Sequence, residues 1–242
     1  KVYKNESEYL TIDGVGNMFG RGISFSSNNK YIVTRHRGGT GGASNLSGVP
    51  VLYDLIKKKE IKLNYTDLPE DIKGNGIATV KFKNDKSVFL AAHWDGYISF
   101  WDAESGKYLS YVKGHDAWVS EIVFSPDGNK FYSCAADQSI KIWNSNDKSL
   151  VATLTGHRNE VWAIALSIDG RFIYSGSKGG KYKVWDAKVR DNNDNTFKLE
   201  SGERASFIVN NAEHHITLGE NAQILIRNTD KFEERDFFCC SI

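Results

Sequence analysis

A histidine, a serine and an aspartate stand close together near the middle of the chain, as His115, Ser133 and Asp137. These are the side chains of a hydrolytic triad, in which an aspartate orients a histidine that takes a proton from a serine. Two of them recur, however, because His115 returns as His157 and Ser133 as Ser175, each after 42 residues. A catalytic triad occurs once, and no Gly-x-Ser-x-Gly elbow accompanies this one. The sequence therefore favours a repeated structural unit and predicts no catalytic residue.

Two other groups of residues could bind a metal or a phosphate. His214 and His215 are metal-ligand types, but adjacent residues on a strand point to opposite faces and no further ligand stands at a suitable spacing. The Gly-rich stretch at 38–42 lacks the Gly-Lys-Ser/Thr ending and the following helix of a phosphate-binding loop. We expect neither a metal nor a cofactor.

The 42-residue step extends well beyond the histidines. Residues 114–144 read GHDAWVSEIVFSPDGNKFYSCAADQSIKIWN, and 156–186 repeat this pattern without a gap. The same step relates two further sets of residues, which are Trp101, Trp143 and Trp185, and Phe82, Phe124, Leu166 and Ile208. Self-similarity at about 40–45 residues is typical of propeller blades.

The Gly-His pair that opens each unit, and the Trp-Asp or Trp-Asn pair that ends its third strand, resemble the WD40-repeat family. The resemblance implies an all-β fold, a β-propeller of four-stranded antiparallel blades with about five repeats visible, compared with seven in the usual ring. The expected organisation is an outer strand within 1–14 that closes or precedes the propeller, repeats at about 15–65, 66–112, 113–154, 155–198 and 199–238, and a tail at 239–242.

Five repeats leave three possibilities open, since a blade needs neighbours to cover its apolar faces. The chain is a fragment of a longer propeller, a small closed ring, or a propeller completed by another subunit. The chain begins at Lys1, and residues 9–13 align with the fourth strand of the Trp101 repeat, which favours the fragment.

In WD40 repeats a His, a Ser or Thr, an Asp and a Trp form a hydrogen-bonded chain. Four such groups can satisfy one another away from water. The resemblance places its members at His115, Ser133, Asp137 and Trp143 in the third repeat, at His157, Ser175 and Trp185 in the fourth, where Gly179 replaces the Asp, and at Asp95 and Trp101 only in the second.

Composition narrows the function classes. The chain has 31 basic and 30 acidic residues and a net charge of +1, so no overall field attracts nucleic acid or an anionic membrane. No stretch is apolar enough to span a membrane. The three cysteines, Cys134, Cys239 and Cys240, form no disulfide framework, and we expect a cytoplasmic protein, or a nuclear one if the source is eukaryotic.

Alternating strand directions place the loop before the first strand and the loop between the second and third strands on one edge. WD40 proteins mostly bind partners there. Exposed aromatics ringed by charges are typical of protein-binding hot spots. The candidate residues on this edge are Phe19, Arg35, His36, Arg37, Trp94, Asp116, Trp118, Arg158, Glu160 and Lys178. The predicted function is a non-catalytic scaffold or adaptor for another protein, or for another domain of its own chain, within a multi-subunit complex as one option.

Two alternative functions remain open. A nucleic-acid or polyanion-binding module would use Arg35, Arg37 and the lysines at 57–59, although those lysines lie between strands three and four, on the opposite edge. A sensor domain of a larger protein is the other alternative.

The ending at 239–242, CCSI, has the outline of a prenylation box with Cys239 as acceptor.

Overall fold

A computed structural model describes residues 22–35, 50–64, 66–69, 72, 76–84 and 87–187, with further strands described as backbone alone. In the described residues every regular element is a β-strand. The strands are β1 (Val2–Lys4), β2 (Ser7–Leu10), β3 (Ile23–Phe25), β4 (Tyr31–Arg35), β5 (Pro50–Asp54), β6 (Lys59–Ile61), β7 (Ile77–Phe82), β8 (Val88–His93), β9 (Tyr97–Asp102), β10 (Tyr108–Lys113), β11 (Val119–Phe124), β12 (Lys130–Ala135), β13 (Ile140–Asn144), β14 (Leu150–Leu154), β15 (Val161–Leu166), β16 (Phe172–Ser177), β17 (Lys181–Asp186), β18 (Thr196–Phe197), β19 (Arg204–Val209), β20 (Ala212–Leu218), β21 (Ile224–Asn228) and β22 (Arg235–Asp236).

Strands β3 to β22 form five four-stranded sheets, each a meander in which the strand order follows the chain. We call them the first sheet (β3–β6), second (β7–β10), third (β11–β14), fourth (β15–β18) and fifth (β19–β22). Neighbouring strands pair antiparallel, as short hairpin connections require. The prediction of an all-β chain built from four-stranded antiparallel blades is confirmed.

The chain divides into two compact units, Lys1–Ile164 and Ala165–Ile242, with the boundary inside β15. The first unit contains the first three sheets and the two-stranded sheet of β1 and β2. In the second unit β16 pairs with β17 and β17 with β18, and β19 to β22 pair in sequence.

The second sheet buries both of its faces, which explains the continuous apolar run of β8. Phe89 and Ala91 belong to a core shared with the first sheet, whereas Leu90 and Ala92 belong to a core shared with the third. Because successive side chains on a strand point to opposite faces, an apolar residue is needed at every position. The alternation distributes one strand between two cores.

Aromatic stacking repeats from sheet to sheet in the first unit. Phe89 stacks on Trp101 with ring centroids 6.2 Å apart and planes 7° from parallel, and Phe131 stacks on Trp143 at 5.7 Å and 7°. Each Phe lies directly across the strand pair from its Trp, so pairing register sets the stack. The tryptophans that mark the repeat are therefore core residues.

The hairpin between β11 and β12 is held by its own side chains. Asp127 accepts hydrogen bonds from Ser125 Oγ at 2.6 Å and from the Asn129 amide at 3.0 Å. The bond from Ser125, followed by those from Asn129, lowers the pKa of the exposed Asp127 carboxyl to about 2. Ser167 and Asp169 make the same bond in the next hairpin, at 2.5 Å. These Asx turns set the register of the first two strands in the third and fourth sheets.

Several predictions fall partly on residues outside the described ranges. Strand β2 overlaps the predicted outer strand at residues 9–10 and pairs with β1, while 11–13 lie outside the description. The Gly-rich stretch at 38–42 also lies outside it. Whether the N-terminal strand joins a blade stays a prediction.

Candidate functional site

The third sheet carries a buried chain of four hydrogen-bonded side chains. Trp143 Nε1 donates to Ser133 Oγ at 2.9 Å, and Ser133 Oγ lies 2.7 Å from His115 Nε2. His115 Nδ1 lies 2.8 Å from Asp137 Oδ2. The indole N–H can only donate and the carboxylate can only accept, so the hydroxyl donates to Nε2 and the imidazole carries its proton on Nδ1.

Each member is positioned by a different segment of the blade. His115 precedes β11, Ser133 lies within β12, Asp137 occupies the turn after β12, and Trp143 lies in β13. The chain of bonds therefore ties three strands and two loops together at the blade's edge. Each bond contributes about 1 kcal/mol net, and one buried partner left alone would cost about 1–3 kcal/mol.

This wiring matches that of a hydrolytic triad, but the surroundings rule out acyl transfer at Ser133. The Ser133 side chain is fully buried, with 0% of its surface exposed. Its oxygen already accepts the Trp143 indole N–H at 2.9 Å. A nucleophile must reach a carbonyl carbon, and this hydroxyl has no exposed path to one. The arrangement stabilises the blade.

Asp137 remains ionised within this network. Burial alone would raise its pKa, but the hydrogen bond from His115 and the electrostatic interaction with it outweigh burial, and Ser139 adds bonds to the same carboxylate. The Ser139 hydroxyl donates to Asp137 Oδ1 at 2.7 Å. The result is a pKa well below the ordinary value of 3.8. The carboxylate is thus a permanent acceptor for the Nδ1 proton.

The second sheet contains a version of this network that the sequence analysis missed. Trp101 Nε1 donates to Ser99 Oγ at 2.8 Å, and Ser99 Oγ lies 2.8 Å from His93 Nε2. The expectation was that only Asp95 and Trp101 remain in this repeat. The hydroxyl and the imidazole are both present, supplied by β9 and by the end of β8 instead of the usual positions.

The register explains the relocation. Ala91, which stands where the serine is expected, lies directly across the strand pair from Ser99. Residues facing each other across a pair project to the same face, so a hydroxyl at either position reaches the same indole. The sequence does contain these residues, since His93 stands two positions before Asp95 and Ser99 two positions before Trp101. Their roles can be recognised only once the strands are paired.

Asp95 has a role in its own turn. Its Oδ1 accepts from the Tyr97 amide at 3.4 Å, and its main-chain carbonyl accepts from Lys113 Nζ at 2.6 Å.

In the second unit, Trp185 Nε1 donates to Ser175 Oγ at 2.7 Å, and Gly179 occupies the aspartate position with φ of 89°. His157 is buried in the first unit.

The predicted partner edge is partly described. Trp94 is 56% exposed, Asp116 and Arg158 are exposed, and Trp118 and Glu160 are partly buried. Lys178 is exposed in the second unit. Phe19, His36 and Arg37 lie outside the described residues.

Arg35 is anchored within the first unit instead of extending into solvent. Its Nη1 donates to the Ala78 carbonyl at 3.3 Å, and partial burial lowers the pKa of its guanidinium. Its aliphatic stem packs over Gly22, because a Cβ on Gly22 would lie 2.6 Å from Arg35 Cγ. The side chain therefore contributes to packing between the first and second sheets.

Two loops of this edge touch. The turn at 94–96 joins β8 to β9, and 114–118 leads into β11. The Gly96 carbonyl accepts from the amides of Gly114 and His115, both at 3.0 Å. A Cβ on Gly96 would lie 2.0 Å from the His115 carbonyl oxygen and 3.0 Å from that of Ala117, so only glycine fits. The segments bearing Trp94 and Trp118 lie side by side.

The lysines of the polyanion alternative surround a shallow cavity at the opposite edge. Its volume is about 260 Å³. The charged residues that line it have both signs, and they are Lys30, Lys57, Lys59, Lys62, Asp54, Glu60 and Glu104. Arg35 ends β4 at the other edge of the first sheet, so its guanidinium and these lysines do not converge.

Residues 68–102, 106–144 and 148–186 each match the family model described as WD domain, G-beta repeat. No curated protein matches the chain significantly.

Within the described residues, no three or more His, Cys, Asp or Glu side chains are grouped to hold a metal ion. In the same part of the chain, no helix is long and apolar enough to cross a membrane.

Proposed function

Since residues 68–186 carry three consecutive WD40 repeats, and repeats of this family generally mediate protein–protein interaction and are typically non-catalytic, we propose that the chain is a non-catalytic adaptor. It binds another protein, or another domain of its own chain, through one edge of its blades. We call this the partner edge and define it in the described residues by the 94–96 turn and the 114–118 segment.

The observation that carries the proposal is the exposed indole of Trp94 beside the segment of Trp118. Trp94 is 56% exposed, although the backbone of its turn is hydrogen-bonded to Gly76, Gly114 and His115. Large exposed aromatics on a rigid support are the residues that most often dominate binding energy at protein interfaces. The paired loops supply that rigid support.

Burial of the polar networks supports a scaffold in place of an enzyme. The only complete His-Ser-Asp set in the described residues is that of His115, Ser133 and Asp137, and its serine is fully buried. The hydrogen bonds of these three side chains are made within the blade. A partner would therefore be recognised by the exposed side chains of the surface.

The test is quantitative affinity capture with a tagged chain, compared between the wild type and a Trp94→Ala/Trp118→Ala double variant. The captured amount of any protein that binds through the partner edge should be at least about tenfold lower with the double variant than with the wild type, as expected when interface aromatics are truncated. Circular dichroism and the unfolding temperature of each variant establish that the blades remain folded.

Ile56→Ala is the matched control, because Ile56 is 70% exposed in the β5–β6 turn at the opposite edge of its sheet. It also removes an exposed apolar side chain, and it should leave capture unchanged. Equal loss of partners in both variants, or full retention in the double variant, would place the binding surface elsewhere.

A further inference from the structure

Trp94 is held as a flat aromatic platform. A Cβ on Gly76 would lie 3.4 Å from both Cδ2 and Cε2 of Trp94 and 3.6 Å from Cγ. Such similar distances to three ring atoms mean that the indole lies face-on against the Gly76 backbone. The Trp94 amide also donates to the Gly76 carbonyl at 2.9 Å. Since the ring face against Gly76 is covered, the 56% of the residue that is exposed must include the opposite face of the ring.

The surroundings of this platform are rich in hydrogen-bond acceptors. Asp95 follows Trp94 in the same turn, and Asp116 is exposed on the segment that the turn touches. Two ammonium groups of the chain itself are already bound by carbonyls here. Lys113 Nζ donates to the Asp95 carbonyl at 2.6 Å, and Lys141 Nζ donates to the Gly114 carbonyl at 2.5 Å. Those two carbonyls are thus already occupied by ammonium groups of the chain, and Asp116 is the exposed acidic side chain beside them.

The combination of an exposed indole and the Asp116 carboxylate is not repeated one repeat later in the described residues. There, the positions of Trp94, Asp116 and Trp118 are occupied by Ala136, Arg158 and Glu160. These positions carry no indole, and an arginine replaces the carboxylate of Asp116. The platform is therefore a local feature and does not follow from the repeat pattern.

We propose that the open face of Trp94, with the carboxylate of Asp116, binds a guanidinium or ammonium side chain of a protein partner. The inference rests on the proposed adaptor function and adds the chemistry of the recognised group. A cation over an indole face is attracted by the negative charge density of the ring, and tryptophan is the strongest platform for it. Asp116 supplies the countercharge.

The six tryptophans make the site directly observable. Each indole N–H gives one signal in a ¹H–¹⁵N spectrum, and single Trp→Phe variants assign the signals. Those of Trp101, Trp143 and Trp185 come from buried indoles bonded to serine oxygens and serve as internal references. The probes are N-acetyl-arginine amide, N-acetyl-leucine amide and N-acetyl-glutamate amide, each titrated at low salt.

The arginine probe should move the Trp94 signal saturably, without moving the three references, and the leucine and glutamate probes should not. Asp116→Asn should weaken arginine binding by roughly threefold at low salt, an effect that disappears at high salt because the charge is exposed. Glu104→Gln removes an exposed carboxylate from the β9–β10 turn at the opposite edge, and we expect it to leave the titration unchanged.

An equal response to the leucine probe would overturn the inference and make Trp94 a purely apolar anchor. Absence of a saturable shift with arginine would also overturn it. Neither result would overturn the adaptor function, which fails only if protein capture is unchanged in the Trp94→Ala/Trp118→Ala variant. The two proposals are therefore tested separately.

Discussion

Ser99 lies directly across the strand pair from Ala91, and its hydroxyl accepts the Trp101 indole N–H at 2.8 Å. In the third sheet the equivalent hydroxyl is on the other strand, as Ser133, which faces Lys141. The blade thus preserves the hydrogen bond of its tryptophan while moving the acceptor across the sheet. What is retained is the polar contact at one point in space, not the residue at one point in the sequence.

This relocation predicts that Ser99 stabilises the second sheet as a network member. Ser99→Ala removes the acceptor of the Trp101 indole and the partner of His93 Nε2, both buried, so the free energy of unfolding should fall by about 2–4 kcal/mol. Denaturant unfolding measures this loss. The Trp101 indole signal should move and that of Trp143 should not.

A second substitution makes the test specific. Adding Ala91→Ser to the Ser99→Ala variant restores a hydroxyl on the same face and should recover about half of the lost stability. If the double variant is no more stable than Ser99→Ala alone, the position of the hydroxyl across the strand pair is not what matters.

Asp137 makes the third sheet sensitive to acid. Its pKa is held below the ordinary value of 3.8 in the folded chain, so the unfolded chain binds a proton more tightly. The stability due to this group is complete above about pH 4 and is lost as the pH falls below it. Unfolding temperatures of wild type and Asp137→Asn, measured between pH 6 and 3, should therefore converge as the pH falls.

The same measurement at neutral pH gives the size of the effect. Asp137→Asn should lower the free energy of unfolding by about 2 kcal/mol there, since it weakens a charge-assisted hydrogen bond to His115. Glu104→Gln is the control, because its carboxylate is exposed in the β9–β10 turn and lies outside the third-sheet network. A constant gap between wild type and Asp137→Asn across this range would contradict the assignment.

Gly96 is required by the contact between two loops as well as by its backbone angle. Gly96→Ala would place Cβ 2.0 Å from the His115 carbonyl oxygen, so we expect a loss of about 3 kcal/mol or more. Gly128 has φ of 71°, but its nearest neighbour would be 3.8 Å from an added Cβ. Gly128→Ala should cost only about 1–2 kcal/mol. Similar losses in the two variants would mean that backbone strain, not the contact, is decisive.

Arg35 provides a test of the polyanion alternative. Arg35→Ala removes the hydrogen bond to the Ala78 carbonyl and the packing over Gly22, and should lower the free energy of unfolding by about 1–3 kcal/mol. Heparin binding, measured at low salt, should be the same in this variant and in wild type. A clear drop in heparin affinity with unchanged stability would favour the polyanion function instead.

The sequence allowed the third-sheet network to be predicted residue by residue, because His115, Ser133, Asp137 and Trp143 occupy the positions that the family resemblance requires. The second-sheet network could not be found in that way. His93 and Ser99 acquire their roles only when β8 pairs with β9 in a particular register, and no single residue of the sequence specifies that register. The flat seating of Trp94 on Gly76 was equally hidden, because Gly76 precedes β7 and Trp94 follows β8, and the two residues meet only when these strands pair.

The sequence by itself determined the order of the strands, their antiparallel meander and the tryptophans of the cores. Alternating apolar residues, turn residues and the 42-residue step are local features, and each of them acts within a single hairpin or repeat. The tertiary structure alone decided which hydroxyl serves Trp101, that Arg35 is anchored, and that Trp94 stays open beside the 114–118 segment. Those outcomes depend on the register of paired strands and on packing between sheets, which no single position in the sequence specifies.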